Sequence, residues 1–422
     1  MHIAFFVWEY PPCLVGGLGT YARDVTTYLT KLGHKVSVFT LNPVKKEECT
    51  FCERKHMCEL STHEFINGVE VHRPMIIDVS DVLCCISEEL KKWGNGIKFF
   101  SDVFSYNILS ASKLVNKIIF EEKIDIVCVH DWLSAIAGLV IKNDTSLPVV
   151  FHVHATEELR ANLSNMVKAL EHKMAEKADK IITVSYAMKE HLISIGYPYK
   201  KIEVVWNGVD AEFFNPKTVK KELVEKWKER HGIKDGEKVV LFIGRLTKIK
   251  GVENLILSFS HVLKQFPETK LVIIGKGEEY MHLLELSKKL RIENKVSIVS
   301  EFISREDLKA NYALADVCVF PSLAEPFGIV CSEAMAMEKP VVVGAKGVSG
   351  FREQVIPCGA EQCGVHIDPE NPEDIAWGIK VCLENEDRAK KWGKNGRKRV
   401  LKNFTIEKTV EKTLKIYESL IE

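Results

Sequence analysis

Short apolar runs alternate along the chain with longer segments in which apolar residues recur every three or four positions. The first apolar run is His2–Val7, and one helical face of Leu18–Gly33 is lined with apolar side chains. Short runs rich in β-branched residues predict buried strands, whereas the longer spacing predicts amphipathic helices. This alternation is typical of α/β proteins with parallel sheets. Further strands are predicted at residues 36–40, 124–129, 149–153 and 181–184.

A second series of the same kind begins near Lys238 and predicts a second sheet. Its strands are predicted at residues 239–243, 271–274, 296–299, 317–320 and 341–343. Between the two series, Asn207–Pro216 contains Gly, Asn and Pro without a clear period and predicts a hinge. We therefore expect two doubly wound, Rossmann-like domains, residues 1–206 and 207–404, that face each other across a cleft. The amphipathic segment at about 405–422 is expected to form a helix that crosses back to the first domain.

Length, charge and hydropathy narrow the class of protein. A chain of 422 residues is longer than one hydrophobic core usually serves. Its 58 basic and 58 acidic residues balance, which argues against a nucleic-acid binder whose affinity rests on phosphate neutralisation. No run approaches the roughly 20 apolar residues of a membrane span. Glu9 directly follows the first apolar run, and no basic leader precedes that run. We therefore expect a cytoplasmic protein with mostly reduced cysteines.

A glycine-rich segment, which includes Gly16 and Gly17, lies between the first predicted strand and the first predicted helix. Glycines let the backbone approach a ligand, and a helix N-terminus favours an anion or polar hydroxyl groups. The spacing differs from the GxGxxG pattern of dinucleotide sites. A ligand-binding loop and a simple tight turn are both consistent with these residues.

Two cations, Arg245 and Lys250, lie on the loop that follows the first strand of the second series. Arg offers bidentate geometry to a phosphate and Lys offers a point charge, so the pair is suited to clamp a diphosphate. A solvated basic turn is the alternative, but ligands of α/β sheets bind at the carboxyl ends of strands. The position therefore favours a ligand.

Two carboxylates, Glu325 and Glu333, follow the predicted strand at residues 317–320. Pro and Gly residues mark a turn between them, and a helix is predicted at Glu333–Glu338. Glu325 is expected on the loop, and Glu333 is expected in the first turns of the helix, where its carboxylate can accept hydrogen bonds from the two hydroxyls of a ribose. The alternative for Glu333 is an acid that complements the helix dipole.

Histidines and an aspartate follow two consecutive strands of the first series. His130 and Asp131 follow the strand at residues 124–129, and His154 follows the strand at 149–153. A single histidine in either place is more often structural than catalytic. Two clusters at consecutive strand ends, with Asp131 beside them, predict the wall of a sugar pocket.

The ordered set of these motifs resembles the retaining glycosyltransferases of the GT-B fold. Arg245 and Lys250, followed by Glu325 and Glu333, are similar to the nucleotide-sugar clamp of glycosyltransferase family 4 and of the neighbouring glycogen and starch synthases. The segments EYPPCLVGGLG, HDW, NGVD and EPFGIVCSEAMA are also similar to synthase-type members. The resemblance covers essentially the full length and implies two Rossmann-like domains.

The resemblance implies roles for the residues of the second domain. Arg245 and Lys250 would bind the diphosphate of the donor, and Glu333 would hold its ribose. Glu325 would meet the transferred sugar, together with backbone N–H groups near Phe327 and Gly328.

For the first domain, the resemblance implies that Gly16 and Gly17 close over the phosphate and the sugar. His154 would contact the 6-hydroxyl of the sugar or the reacting centre, and Asp131 and Asn207 would line the donor or acceptor pocket. One segment departs from the pattern: residues 347–351 read GVSGF where glycogen synthases have paired glycines. The donor sugar and the acceptor therefore stay open.

These roles predict transfer of a hexose, with glucose favoured, from UDP- or ADP-glucose to an α-glucan or another glycosyl acceptor with retention of configuration. No Asp-x-Asp motif is present, so we expect no metal or other cofactor. Same-face attack is preferred to a double displacement. The alternatives are a family-4 transferase with a lipid, small-sugar or sugar-phosphate acceptor, and a sugar-binding protein without turnover.

The cysteines Cys49, Cys52 and Cys58, with His56 and His63 nearby, have a spacing similar to that of metal ligands. A CxxC loop with a third Cys and a His is able to complete a tetrahedral zinc site. A variable loop with incidental cysteines is the alternative, because a second CxxC is missing. The sequence leaves both interpretations open.

Overall fold

The computed structural model describes residues 1–14, 16–42, 60–94, 96–159 and 164–421. The chain divides into two compact units. We call Met1–Val184, Lys189–Val205 and Thr409–Glu422 the N-terminal unit. We call Ser185–Met188 and Trp206–Lys408 the C-terminal unit.

The N-terminal unit contains an eight-stranded sheet with the order β3-β4-β2-β1-β5-β6-β7-β8. All neighbouring strands are parallel except β3 and β4, which form an antiparallel edge hairpin. The strands are β1 His2–Phe6, β2 Lys35–Phe39, β3 His63–Ile66, β4 Val69–His72, β5 Ile126–His130, β6 Val149–Val153, β7 Lys180–Thr183 and β8 Ile202–Val204.

Helices connect these strands, as parallel neighbours require. The helices of this part of the chain are α1 Gly17–Lys31, α2 Ser80–Ile86, α3 Glu88–Lys91, α4 Gly96–Lys113, α5 Ile119–Glu121, α6 Ala135–Asp144, α7 Asn165–Lys177 and α8 Tyr186–Ser194. Every residue of β1, β5 and β6 is buried, because both faces of a parallel sheet are covered. The chain leaves β1 for β2 on one side and later reaches β5 on the other, so the topological switch point lies between β1 and β5.

The C-terminal unit contains a six-stranded, fully parallel sheet with the order β11-β10-β9-β12-β13-β14. Its strands are β9 Lys238–Ile243, β10 Thr269–Ile274, β11 Val296–Val299, β12 Val317–Phe320, β13 Val341–Gly344 and β14 Gly364–Ile367. The helices are α9 Lys221–Arg230, α10 Val252–Leu263, α11 Tyr280–Lys289, α12 Arg305–Leu314, α13 Ile329–Ala336, α14 Phe351–Gln354, α15 Pro372–Glu384 and α16 Glu386–Asn403. The switch point lies between β9 and β12, where ligands of such sheets bind.

The last helix, α17, spans Ile406–Ile421, and its residues from Thr409 onward belong to the N-terminal unit. The buried Tyr417 hydroxyl anchors it there, because it accepts from Cys128 Sγ at 2.9 Å and lies 2.8 Å from His152 Nε2. Among the described residues, no helix has the length and apolarity that crossing a membrane requires.

The predicted α/β architecture with two parallel sheets is confirmed. One helix differs: the segment predicted as a helix at Glu333–Glu338 is helical from Ile329 to Ala336. The helix begins earlier because Gly328 adopts a left-handed conformation, with φ of 90°, and caps it. The hairpin β3–β4 was not predicted, since its first strand alternates between exposed and half-buried residues and lacks an apolar run.

Candidate active site

The loops that follow β9 and β12 pack directly against each other at the switch point of the C-terminal sheet. A side chain at Gly251, whose φ is 66°, would place its Cβ 2.1 Å from the carbonyl oxygen of Pro321. Leu323 donates its N–H to the carbonyl of Ile249 at 2.8 Å. The close approach therefore requires glycine at residue 251 and brings Lys250 to the β12 loop.

Lys250 and Glu325 form an ion pair across these two loops. The two side chains are only 17% and 10% exposed. Ser322 donates its hydroxyl to the same carboxylate oxygen, Glu325 Oε2, at 3.2 Å. The backbone of Glu325 is also fixed, because its N–H donates to Val348 and its carbonyl accepts from Gly350, both at 2.8 Å. The carboxylate is thus held in one orientation by both side-chain and backbone contacts.

Arg245 is exposed at the end of β9. Within the described parts of the chain its guanidinium makes no hydrogen bond or ion pair. Backbone hydrogen bonds fix both neighbours of Arg245: Gly244 donates to Ile274, the last residue of β10, at 3.0 Å, and Leu246 donates to Lys276, in the loop after β10, at 2.7 Å. A planar cation on a fixed backbone is available for a bidentate anion. The sequence predicted both cations for one loop but did not foresee that Lys250 pairs with Glu325.

The turn at Phe327 and Gly328 leads into helix α13. Phe327 is buried, and Gly328 caps the helix. Among the described residues, no group accepts from the backbone N–H of Gly328, Ile329 or Val330. Such N–H groups, together with the positive end of the helix dipole, favour an anion or a hydroxyl oxygen. The structure thus places these donors on the loop that carries Glu325.

Gly328→Ala is expected to lower the free energy of unfolding more than Gly359→Ala does. Both positions have positive φ, 90° and 84°, so both variants introduce backbone strain of about 1–2 kcal/mol. Only at residue 328 would the new Cβ also overlap a neighbour, at 2.3 Å from Phe351 Cε1, while residue 359 is in open space. Urea denaturation of both variants measures the difference, and equal losses would contradict this account of the turn.

Glu333 lies in the second turn of α13 and is buried, with 6% of its surface exposed. Its Oε2 accepts a hydrogen bond from the Tyr312 hydroxyl at 2.8 Å. Burial, reinforced by the Glu333 carboxylate, raises the pKa of Tyr312 well above its usual value, so the hydroxyl stays a donor. Tyr312 therefore orients the carboxylate that the sequence assigned to a ribose.

Asn207 belongs to the C-terminal unit and is buried. Its Oδ1 has no hydrogen-bond partner in the described parts of the chain. The next residue, Gly208, lies against the backbone of Thr405, since a Cβ there would stand 2.4 Å from the Thr405 carbonyl carbon. Asn207 is therefore fixed by its neighbours while its amide oxygen stays available for a polar group.

In the N-terminal unit, Gly16 and Gly17 form the start of α1, as the glycine-rich segment predicted. Gly16 caps the helix and donates its N–H to Glu9 Oε2 at 2.9 Å. A Cβ at Gly19 would lie 2.8 Å from the same Glu9 oxygen. An internal carboxylate thus occupies the N-terminus of α1, a position that favours anions.

Asp131 and His154 are joined directly. Asp131, which has an unusual φ of 53°, accepts from the N–H of His154 at 2.7 Å and from that of Ala155 at 3.3 Å. The Tyr21 ring packs edge-on against the His154 ring at 4.6 Å. The two residues that the sequence assigned to a pocket wall therefore lie together at the carboxyl ends of β5 and β6.

His154 is one of three histidines with nearly parallel rings. The ring planes of His130, His152 and His154 lie within 25° of one another. One nitrogen of each lies within 4.8 Å of the others, a distance that raises the question of a metal. The ligands of tetrahedral zinc converge from different directions at about 2.0–2.1 Å. Nearly parallel rings fit that geometry poorly and are better explained as packed, neutral imidazoles.

Lowering the pH from about 7 to about 5 is expected to destabilise the N-terminal unit. Burial lowers the pKa of His130, His152 and His154, the last to about 3, whereas an unfolded histidine has a pKa of about 6.5. Between those values the unfolded chain binds protons that the folded chain excludes. Stability is therefore complete above the unfolded pKa and falls below it, by about 1.4 kcal/mol per pH unit for each histidine.

Urea denaturation at both pH values measures this loss of stability. Because His130 donates through Nδ1 to the Phe6 carbonyl, His130→Asn keeps a donor while it removes one titrating group. The pH slope should then fall by about 1.4 kcal/mol per pH unit, the contribution of one histidine. An unchanged slope in the variant would contradict the assignment.

Three residues that hydrogen-bond to the candidate site residues were not identified from the sequence. Ser322 is the second residue after β12, and this strand-end position was the available clue. Tyr312 and Gln354 lie on helices α12 and α14, and their contacts depend on tertiary packing alone.

The cysteines Cys49, Cys52 and Cys58 and His56 lie outside the described residues, while His63 pairs with Glu70 at 2.9 Å. Three other cysteines, Cys128, Cys318 and Cys331, are fully buried.

Two protein families match the chain. The family described as Glycosyltransferase Family 4 matches residues 15–213, and Glycosyl transferases group 1 matches residues 224–399. Together they cover the strand-end loops of both units.

Individual proteins are similar over nearly the whole length. An uncharacterized glycosyltransferase of Methanocaldococcus jannaschii is 31% identical, over 100% of this chain and 99% of that protein. The glycogen synthase of Mycobacterium tuberculosis is 26% identical, over 99% of this chain and 94% of that enzyme. The crystal structure of Anabaena HepE in complex with UDP-glucose superimposes with a TM-score of 0.74 at 19% identity, over 99% of this chain and 100% of HepE. The chain therefore belongs to glycosyltransferase family 4 and has the GT-B fold.

Proposed function

We propose that this glycosyltransferase transfers a hexosyl group, with glucose favoured, from a UDP- or ADP-sugar to an α-glucan or another glycosyl acceptor. The proposed reaction retains the anomeric configuration and requires no metal or other cofactor. One observation carries the proposal. At the switch point of the C-terminal sheet, the exposed Arg245 and the Lys250–Glu325 ion pair lie on two loops in direct contact.

The chemistry of the leaving group explains the cations. When the bond between the anomeric carbon and the phosphate oxygen breaks, negative charge develops on the β-phosphate. Arg245 and Lys250, with the N–H groups at the start of α13, supply fixed positive potential for that charge. Each preorganised donor of this kind contributes about 2.7–4 kcal/mol to transition-state stability.

Retention follows when the acceptor hydroxyl attacks the face that the phosphate leaves. The acceptor oxygen forms the new bond to the anomeric carbon, and its proton passes to the departing phosphate oxygen. Glu325, fixed by Lys250 and Ser322, then accepts a hydrogen bond from a sugar hydroxyl. Glu333 accepts hydrogen bonds from the ribose. In this scheme no carboxylate becomes bonded to the sugar.

The relatives support the choice of substrates. The similar M. tuberculosis enzyme is a glycogen synthase, and the structurally similar HepE was solved with UDP-glucose. Both names point to an activated glucose as donor. The chain's own donors and cations suit any nucleoside diphosphate, so the experiment below decides the base.

A lipid acceptor is a second candidate, because the N-terminal unit has an apolar groove. It has a volume of about 330 Å³ and is lined mainly by side chains of α2, α3, α4, α6 and α7, including Leu83, Ile86, Leu90, Phe100 and Ile136. Ile86 is 72% exposed at this groove. An acceptor with an acyl or prenyl chain would find an apolar surface there.

A donor panel tests the proposal. UDP-, ADP- and GDP-glucose are each incubated with glycogen, with octyl glucoside as an apolar acceptor, or with neither, and release of nucleoside diphosphate is measured. We expect glycogen-stimulated release from UDP- or ADP-glucose that persists in EDTA, and an α-linked product by NMR. Stimulation by octyl glucoside alone would favour the lipid candidate. Release from no donor would favour a sugar-binding protein without turnover.

A further inference from the structure

Gln354, the last residue of α14, is fully buried against the turn that precedes α13. Its amide nitrogen donates to the carbonyl of Phe327 and lies 3.5 Å from the carbonyl oxygen of Gly328. Its amide oxygen accepts from the Ser332 hydroxyl at 2.9 Å. Because carbonyl oxygens can only accept, the network assigns the nitrogen end of the amide to the two carbonyls, and the Ser332 hydroxyl then donates to the oxygen end.

The backbone of Gln354 is held from the other side by Arg399. The guanidinium donates to the carbonyl of Gln354 at 2.7 Å and to that of Glu353 at 2.6 Å. The side chain therefore projects from a fixed point. A flexible amide would average over orientations, whereas this one is restrained at both ends.

Gln354 fixes the direction of the Phe327–Gly328 peptide, whereas the Gly328–Ile329 peptide is also held by Cys331, whose N–H donates to the Gly328 carbonyl at 3.1 Å. Both peptides, Phe327–Gly328 and Gly328–Ile329, are trans. In a trans peptide the C=O and the following N–H point in opposite directions. With the Phe327 carbonyl directed at Gln354, the N–H of Gly328 points away from it, and that N–H meets no acceptor among the described residues.

We propose that Gln354 is a positioning residue for donor binding. It orients the Phe327–Gly328 peptide so that the N–H of Gly328 faces the diphosphate or the transferred sugar. This inference rests on the proposed function of the same loop. If a peptide turned over, its carbonyl oxygen would face the anion instead and would repel it.

Gln354→Met tests the proposal, because methionine has a similar volume but no donor. Asn395→Leu is the matched control: the Asn395 amide also donates to two carbonyls of the C-terminal unit, Ala360 at 3.1 Å and Gln362 at 2.9 Å. We expect kcat to fall at least 30-fold in the Gln354 variant, with a smaller change in KM. The control should keep kcat within threefold at a comparable loss of Tm. Ser332→Ala should act in the same direction as Gln354→Met, but more weakly.

Backbone NMR provides a second readout that does not depend on turnover. UDP, ADP and inorganic pyrophosphate are the probes, and the amide signal of Gly328 should shift in the wild type and not in Gln354→Met. Equal shifts in both proteins, or a fall in kcat no larger than in the Asn395 variant, would overturn the proposal.

Failure of the proposed function would be recognised separately. It would appear as a wild-type protein that neither binds these probes nor releases nucleoside diphosphate in the donor panel. A crystal structure of Gln354→Met would then decide the positioning role. Unchanged peptides at Phe327–Ile329 would refute it, and a turned or disordered peptide would support it.

Discussion

Lys250→Ala is expected to lower kcat about 100- to 1,000-fold while the C-terminal unit stays folded. The lysine would neutralise the β-phosphate as it departs, and no other cation on its loop pairs with the fixed Glu325 carboxylate within the described residues. Because both side chains are largely buried, removal of the lysine leaves the Glu325 carboxylate without its cation, and Tm should also fall while the unit stays folded at the assay temperature. Steady-state release of nucleoside diphosphate and a thermal melt measure the two effects.

Lys248→Ala is the control for this variant. Lys248 lies on the same short helical turn, Lys248–Lys250, but is exposed and has no ion-pair partner in the described parts of the chain. Its removal changes the net charge of the loop equally and should leave kcat within about threefold. Similar kcat values for the two variants would show that charge near the loop, and not Lys250 itself, serves the reaction. Near-normal transfer by both Lys250→Ala and Arg245→Ala would rule out the clamp.

The sequence placed the candidate site residues on loops because it shows where the strands end. The apolar runs that became β9 and β12 mark their own carboxyl ends within a few residues, so Arg245, Lys250 and Glu325 were assigned to strand-end loops. The assignment to loops did not require the order of the strands in the sheet. Prediction of the contact between Lys250 and Glu325 would have required it, because these residues are 75 apart in the chain and meet only because β9 and β12 are neighbours.

The side-chain contacts that helices make with the candidate site could not be predicted from the sequence. Tyr312 bonds Glu333 from α12, and Gln354 bonds the Phe327 carbonyl from α14. In the sequence both residues are ordinary polar or aromatic positions, and neither has a local pattern that specifies its partner. The helix of Glu333 was also placed too late, because the left-handed cap at Gly328 is a single-residue feature that apolar periodicity does not register.

Glu325 and Glu333 are expected to respond differently to the same substitution. Glu333→Gln removes a carboxylate assigned to the ribose, which is bound alike in the ground state and the transition state. KM for the donor should therefore rise, with kcat within about threefold. Glu325→Gln removes the charge that holds Lys250 and meets the reacting sugar, so kcat should fall about 100- to 1,000-fold. Steady-state kinetics of the two variants measure this split, and a reversed pattern would contradict both assignments.

Glu325→Gln also separates the two routes to retention. In the structure both Lys250 and Ser322 donate to Glu325 Oε2, an arrangement that stabilises a carboxylate and lowers its nucleophilicity. We therefore expect added azide not to restore donor turnover in Glu325→Gln, and mass spectrometry of the wild type with donor alone to detect no glycosylated peptide that contains residue 325. A glycosyl azide of inverted configuration relative to the donor, or a glycosyl group on Glu325 itself, would establish a double displacement. In that case Lys250 would act on the nucleophile as well as on the leaving group.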